Sequence, residues 1–204
     1  MTSQPSQQRD QAAGQPDLAV VSFPSAGAFA AWLDAEHERS PGIWLKIAKK
    51  GAGVATVSYD EAVDVALCFG WIDGQKRSLD GQFWLQRITP RKPRSRWSKI
   101  NCARAERLIE AGQLRPRGLA EVEAARADGR WAAAYAGQRA AAVPADLQAA
   151  LDADPVAGDF FATISSQNRY AILYRVGDAK RPATRAARIT KYVAMLHEHR
   201  TIHP

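Results

Sequence analysis

The sequence predicts an α+β protein, with a small mixed α/β N-terminal half containing a short antiparallel sheet and an all-helical C-terminal half. Three observations carry that expectation. "IWLKIAK" at 43–49 alternates with period two, and "WIDGQKRS" and "FWLQRIT" flank the turn signal Asp80-Gly81. "SYDEAVDVALCFG" at 58–70 has an N-terminal capping signature and helical spacing. Beyond Pro116 the apolar residues recur only at helical spacing.

Taken in order, residues 1–21 are polar and rich in Gln and Pro, and bury too little apolar surface to offset the entropy of ordering, so a disordered tail is expected. Ser25 is a candidate N-cap for a helix that places Phe29, Trp32, Leu33 and Glu36 on one side, and "SPG" at 40–42 ends it. In the strand that follows, Ile43, Leu45 and Ile47 share one face and Trp44, Lys46 and Ala48 the other. Ser58 and Glu61 form the expected capping box of the next helix, whose stripe is Val63, Ala66 and Leu67 and whose stop is Gly70. The hairpin then delivers the chain into "RITPRKPRSRWSKIN" at 87–101. There Pro90 and Pro93 exclude regular structure, before a helix runs through Cys102, Ala105 and Ile109 to Gly112. An α/β domain over 22–112 and a helical domain over 116–204 are the expected units. In the latter, Leu119, Val122 and Ala125 should face inward in one helix, and Ala186, Ile189, Val193 and Leu196 in the last.

The chain has 204 residues, 46% of them hydrophobic, enough for a core without staples. Its formal charge of +7 is segregated. Residues 87–101 hold six Lys or Arg and no acid; residues 168–192 hold seven against Asp178, so the remainder is net acidic by five. Segregated charge makes a directed field, and the partners it suits are anionic: phosphates, nucleic acid or acidic metabolites. Two cysteines without metal-ligand spacing give no disulfide framework, which points to a reducing cytoplasm. No run of 18 apolar residues exists to span a membrane.

Candidate ligand-binding residues follow from the basic loop and its surroundings. Arg87, Arg91 and Arg94 would clamp an anion near a helix start at Ser95 or Ser98, with Asn101 in the first turn and Trp97 as an aromatic platform. Lys49 and Lys50 lie in the loop after the strand at 43–48. In "GWIDGQ", Trp71 reads as core and Asp73 either pins the hairpin or positions an Arg. As an alternative, Asp73 is a candidate acid/base, but no catalytic motif accompanies it: neither G-x-S-x-G nor a P-loop is present, and Cys68 lies in an apolar helix. "HEHRTIH" at 197–203, at a fraying C-terminus, lacks the ligands of a metal site, so no metal or cofactor is expected. The charged face of the last helix, with Arg181, Arg185, Arg188 and Lys191, reads as an ordinary outer surface, and the C-terminal helices as a possible protein-docking module.

The order of four stretches, "VSYDEAVDVALCFGWIDGQ", "RITPRKPRSRWSKIN", "ADGRWAAAY" and "SSQNRYAILYRVGDAKRPATRAARI", resembles the YdeI/OmpD-associated family, also called bacteriocin-protection proteins, from Phe23 to Pro204. The resemblance implies a helical OmpD-associated domain near 140–200. Its signature falls on Lys50, Gly70, Trp71, Ile72, Asp73, Arg87, Pro90, Arg91, Ser95, Trp97, Ser98, Asn101, Thr184 and Arg185. It further implies a bacterial protein tied by name to protection from bacteriocins, with no reaction attached. Two basic patches would repel cationic peptides, so an indirect, cytoplasmic stress role fits the charge better than direct capture.

Overall fold

The computed structural model describes residues 18–137 and 141–204. They form two compact units. One comprises the chain up to Ser95 together with Ala103–Gly129, the other Arg96–Cys102 and Arg130–Pro204. The expected tail at 1–17 lies outside the described residues.

The first unit is built on a four-stranded sheet in the order β1-β2-β4-β3, formed by Val20–Val21, Ile43–Ala48, Phe83–Pro90 and Trp71–Ser78 respectively. β2, β3 and β4 are antiparallel, as the alternation predicts. β1 is not foreseen. Val20 and Val21, placed by the sequence reading in the tail, pair in parallel with Trp44 and Leu45, so the sheet is mixed. Two valines are too short a run to show periodicity, and what holds them is Leu18, which packs with Trp44 and Leu85.

α1, Ala26–Glu36, is capped by Ser25, and α2, Tyr59–Cys68, by the full Ser58–Glu61 box. Both lie against the sheet face that carries Trp71, Asp73 and Trp84: the Trp32 ring meets Trp71 edge-on and Tyr59 meets Trp84. Between them sit Phe29, Leu33, Ile43, Leu45 and Ile88, each at most 1% exposed. α3, Lys99–Glu110, is tied to α2 by charge. Arg104 bonds Asp60 and Asp64, and Arg107 bonds Asp64.

α4, Pro116–Ala127, packs in this unit. The reason is Gly118. A Cβ there would lie 2.3 Å from the Cys68 carbonyl oxygen and 2.7 Å from that of Leu67, so only glycine lets α4 approach the end of α2. The Arg115 N–H then donates to the Cys68 carbonyl at 3.0 Å, satisfying one of the helix's last acceptors. The buried stripe of α4 is accordingly Gly118, Val122 and Ala125, while Leu119 stays exposed.

In the second unit, α5 (Ala145–Asp152), α6 (Pro155–Thr163), α7 (Ser166–Gly177) and α8 (Pro182–His197) enclose a core of Leu147, Leu151, Phe161, Ile172, Val176 and Leu196. In α8, Ile189, Tyr192 and Leu196 point inward, and Ala186, expected with them, is exposed. The C-terminus is held rather than frayed. Buried Asn168 brackets His203, accepting from its N–H at 2.9 Å and donating to its carbonyl at 3.1 Å, and the ring of His199 meets Phe160 edge-on. Among the described residues no helix is long and apolar enough to cross a membrane.

Candidate functional site

A cleft of about 570 Å³ opens in the first unit where β3 begins and β4 ends. Its walls are Ile72, Asp73 and Gly74 on β3, Arg87, Thr89 and Pro90 on β4, Pro41, and the loop residues Arg91, Lys92 and Ser95. Backbone bonds set this rim. The Arg91 N–H donates to the Gly70 carbonyl at 3.0 Å, which fixes the loop's start at the junction of α2 and β3. The Ser95 N–H donates to the Lys92 carbonyl at 2.8 Å and the Lys92 N–H to the Ser95 hydroxyl oxygen at 2.9 Å, closing a tight turn. On the other wall Gly42 has φ +132°, and a Cβ there would meet Thr89 at 2.6 Å. Pro41 thereby reaches the cleft.

The charge in the cleft is positive. Arg91 is buried, 3% exposed, and engaged within the protein. Arg87 is half-buried and Lys92 exposed, and among the described residues neither has an acidic partner. Asp73 is the one acid on the wall, but its carboxylate is turned elsewhere: it accepts from the Tyr59 hydroxyl at 2.7 Å, on the face covered by α2. Burial first, and then the Asp73 charge, hold the Tyr59 phenol well above its ordinary pKa. Asp73 is paired in register with buried Ile88, and Arg87 with Trp44, so strand alternation places the Asp73 and Arg87 side chains on opposite faces of the sheet.

A β-bulge explains how β3 changes face. Asp73 pairs with Ile88 and Lys76 with Gln86, so three steps on β3 match two on β4. The Gln86 side chain, 3% exposed, donates to the Gly74 carbonyl at 2.9 Å and holds the extra residue in place. As a result Lys76 shares the Asp73 face, where its Nζ lies 4.1 Å from the Trp84 ring centroid. Arg77 instead lands on the Arg87 face, with its guanidinium carbon 4.2 Å from the Trp44 ring centroid.

The other sequence candidates fall outside this cleft. Trp71 is buried at 1% and Trp97 at 2%, the latter against Trp131. Ser98, also buried, accepts from the Asn101 N–H at 3.1 Å at the start of α3. Trp97, Ser98 and Asn101 belong to the second compact unit, and Arg94 and Ser95 to the first, so the basic stretch is divided between the two. Lys49 donates to the Asp80 carbonyl at 2.6 Å, and with Lys50 it lies at the hairpin-turn end of β2, about 17 Å along the strand from the cleft end. Cys68 and Cys102 are buried free thiols, and burial pushes that of Cys68 up to about 11. His197 pairs with Asp154 at 2.9 Å, and among the described residues no group of three potential ligands could hold a metal.

Two family models match the chain. Residues 140–199 match the bacteriocin-protection, YdeI or OmpD-associated family. This match contains α5 to α8 and bears out the C-terminal part of the resemblance seen in the sequence. Residues 21–121, which carry the cleft, match a separate model described only as a domain of unknown function. No curated protein and no solved structure matches the chain. The YdeI/OmpD-associated domain and the cleft-bearing segment are thus distinct along the sequence. Gln86, Tyr59 and the bulge were missed by sequence reasoning. A glutamine between Trp84 and Ile88 at alternate positions of β4, on the face that those two residues share, was the available signal for the first.

Proposed function

We propose that the cleft-bearing unit binds a compact anion, a phosphate- or carboxylate-bearing small molecule, through Arg87, Lys92 and the fixed charge of Arg91. One observation carries this reading: two cations line a cleft of about 570 Å³ with no acidic partner among the described residues, while Arg104, Arg107 and Arg185 each grip carboxylates. That volume lies within the range typical of small-ligand sites. A nucleic-acid strand has less support, since Trp97, the aromatic residue within the basic stretch, is buried and cannot stack bases. An acid–base role for Asp73 also has less support, because its carboxylate is engaged by Tyr59 and lies on the other sheet face from Arg87. Protein docking through the C-terminal helices finds little support in Val156, the large apolar residue that is exposed on them. For cellular context we infer a cytoplasmic role in stress or antimicrobial resistance, supported by the description of the matched C-terminal family and by buried thiols that form no disulfide.

Calorimetric titration with inorganic phosphate and ribose 5-phosphate at low and raised salt tests the reading. The double variant Arg87→Ala/Lys92→Ala should weaken binding at least about tenfold, in line with two lost charge-assisted contacts. Arg185→Ala/Arg188→Ala should leave it unchanged. Equal binding by the cleft variant and the parent protein would overturn the proposal.

A further inference from the structure

We infer that the anion taken by the cleft is the phosphate of a nucleoside monophosphate, whose base stacks on the exposed guanidinium of Arg77. This deepens the anion-binding reading and rests on it. Trp44 is directly opposite Arg87 in the β2–β4 register, so their Cβ atoms are about 5 Å apart on one face. Arg77 is opposite Leu85, two residues from Arg87 along β4, which adds about 7 Å. The bulge held by Gln86 is what brings Arg77 to this side. In a regular strand it would share the face of Asp73.

The Arg77 guanidinium covers the Trp44 ring, and Trp44 is only 7% exposed. The indole orders the guanidinium beneath, while the outward side of the exposed Arg77 is left to solvent. Arg77 has no acidic partner among the described residues. A planar, delocalised cation of this kind is a stacking surface for a nucleobase. Arg87 stands between this platform and the cleft, close enough to both for a ribose to bridge them.

Arg87 and Lys92, two cations with no acidic partner among the described residues, suit a doubly charged phosphate better than a singly charged carboxylate. One platform suits one base. Trp84, which carries Lys76, is on the opposite sheet face beside Tyr59; Phe83, on the Arg77 face, carries the Lys46 ammonium, which has no plane to stack on; Trp71 and Trp97 are buried.

The test is calorimetric titration of the full chain with AMP, ribose 5-phosphate, adenosine and a five-residue oligoadenylate. AMP should bind about tenfold more tightly than ribose 5-phosphate, the contribution of one stacked base. Arg77→Lys keeps the charge and removes the plane. It should erase that difference while leaving ribose 5-phosphate binding within about twofold of the parent. Arg87→Ala should weaken both phosphates. Equal affinities for AMP and ribose 5-phosphate, or an undiminished preference in Arg77→Lys, would overturn the nucleotide assignment. The anion reading would survive so long as Arg87→Ala still weakened ribose 5-phosphate. Oligoadenylate binding more than about tenfold tighter than AMP would replace the mononucleotide with a strand. Absence of binding by either phosphate would remove both readings.

Discussion

In α7 and α8 the arginines are tied into the fold: Arg185 grips Asp146 with two bonds at 2.5 and 2.8 Å, and Arg188 reaches the Arg175 carbonyl and the Asp178 carboxylate. At the cleft of the first unit, Arg87 and Lys92 line an open space with no acid among the described residues to neutralise them. Both regions look alike in composition, each carrying a formal +6. The difference lies in what holds the surrounding structure. At the cleft's rim the holding groups are neutral, namely the Gln86 amide and the Ser95 turn, while charge ties α3 to α2 through Arg104 and Arg107. Because neutral devices fix the rim, Arg87 and Lys92 keep no acidic partner among the described residues. In the second unit Asp146 and Asp178 have already taken that place.

The comparison is broken most severely by volume. Gly118→Ala puts a methyl group where the Cys68 carbonyl already stands, and should destabilise the first unit by about 3 kcal/mol. Urea unfolding monitored by amide exchange in α2 and α4 would measure it. The loss should be the same at low and high salt, because no charge is involved. Next in size is Gln86→Leu, which leaves the Gly74 carbonyl without its buried donor. It should cost about 2 kcal/mol and also weaken phosphate binding, since Gly74 lies against Arg87. A stable variant with unaltered phosphate affinity would show that the bulge does not shape the cleft.

Most of the fold was legible because the longer elements carry their own period and α1 and α2 their own caps: Ser25, Ser58 and Glu61 all do locally what their sequence positions suggest. The unread parts depend on contacts between distant residues. Val20–Val21 becomes a strand only because β2 offers an edge and Leu18 packs on Trp44. α4 joins the first unit through a glycine whose purpose is visible only once Leu67 and Cys68 face it. For the site, Arg87, Arg91 and Ser95 were legible as one basic, proline-stiffened loop, and they do line one cleft. Trp97 was read as a platform because burial cannot be told from exposure in a loop, and the ring packs on Trp131. Lys49 was grouped with the arginines through proximity to α2 in sequence, yet strand length carries it to the other end of the sheet.

A smaller effect is expected where charge does the holding. Arg185→Ala removes both bonds to Asp146 and a third, to the Val176 carbonyl at 3.0 Å. Exchange protection in α5 and α8 should fall modestly at low salt, and the difference from the parent should shrink as salt is raised. Phosphate affinity should not change. A drop in that affinity would mean that the two basic regions do not divide the work as the contacts indicate.

The finest distinction lies in how the units respond to acid. Among the described residues, Glu61, Asp80, Asp146 and Asp154 are carboxylates held below the usual range. Glu61 is held by the Ser58 hydroxyl and N–H, Asp80 chiefly by the N–H groups of Gln82 and Phe83, Asp146 chiefly by the Arg185 guanidinium, and Asp154 chiefly by His197. In each case the folded pKa is below the unfolded one, so the unfolded chain binds more protons as the pH drops. The stabilisation is complete above the ordinary carboxylate range, near about pH 4, and is lost as the pH falls through the lower folded values. Both units should therefore loosen in acid, but salt should separate them. Glu61 and Asp80 rest first on neutral donors that ions screen little, whereas Asp146 and Asp154 rest first on Arg185 and His197. Raising ionic strength from about 0.05 M to about 0.5 M should flatten the acid-dependent loss of exchange protection in α8 and leave that in the β3–β4 turn around Asp80 nearly unchanged. Equal flattening in both segments, after correction for intrinsic exchange rates, would mean that charge holds the Asp80 turn as much as it does α8.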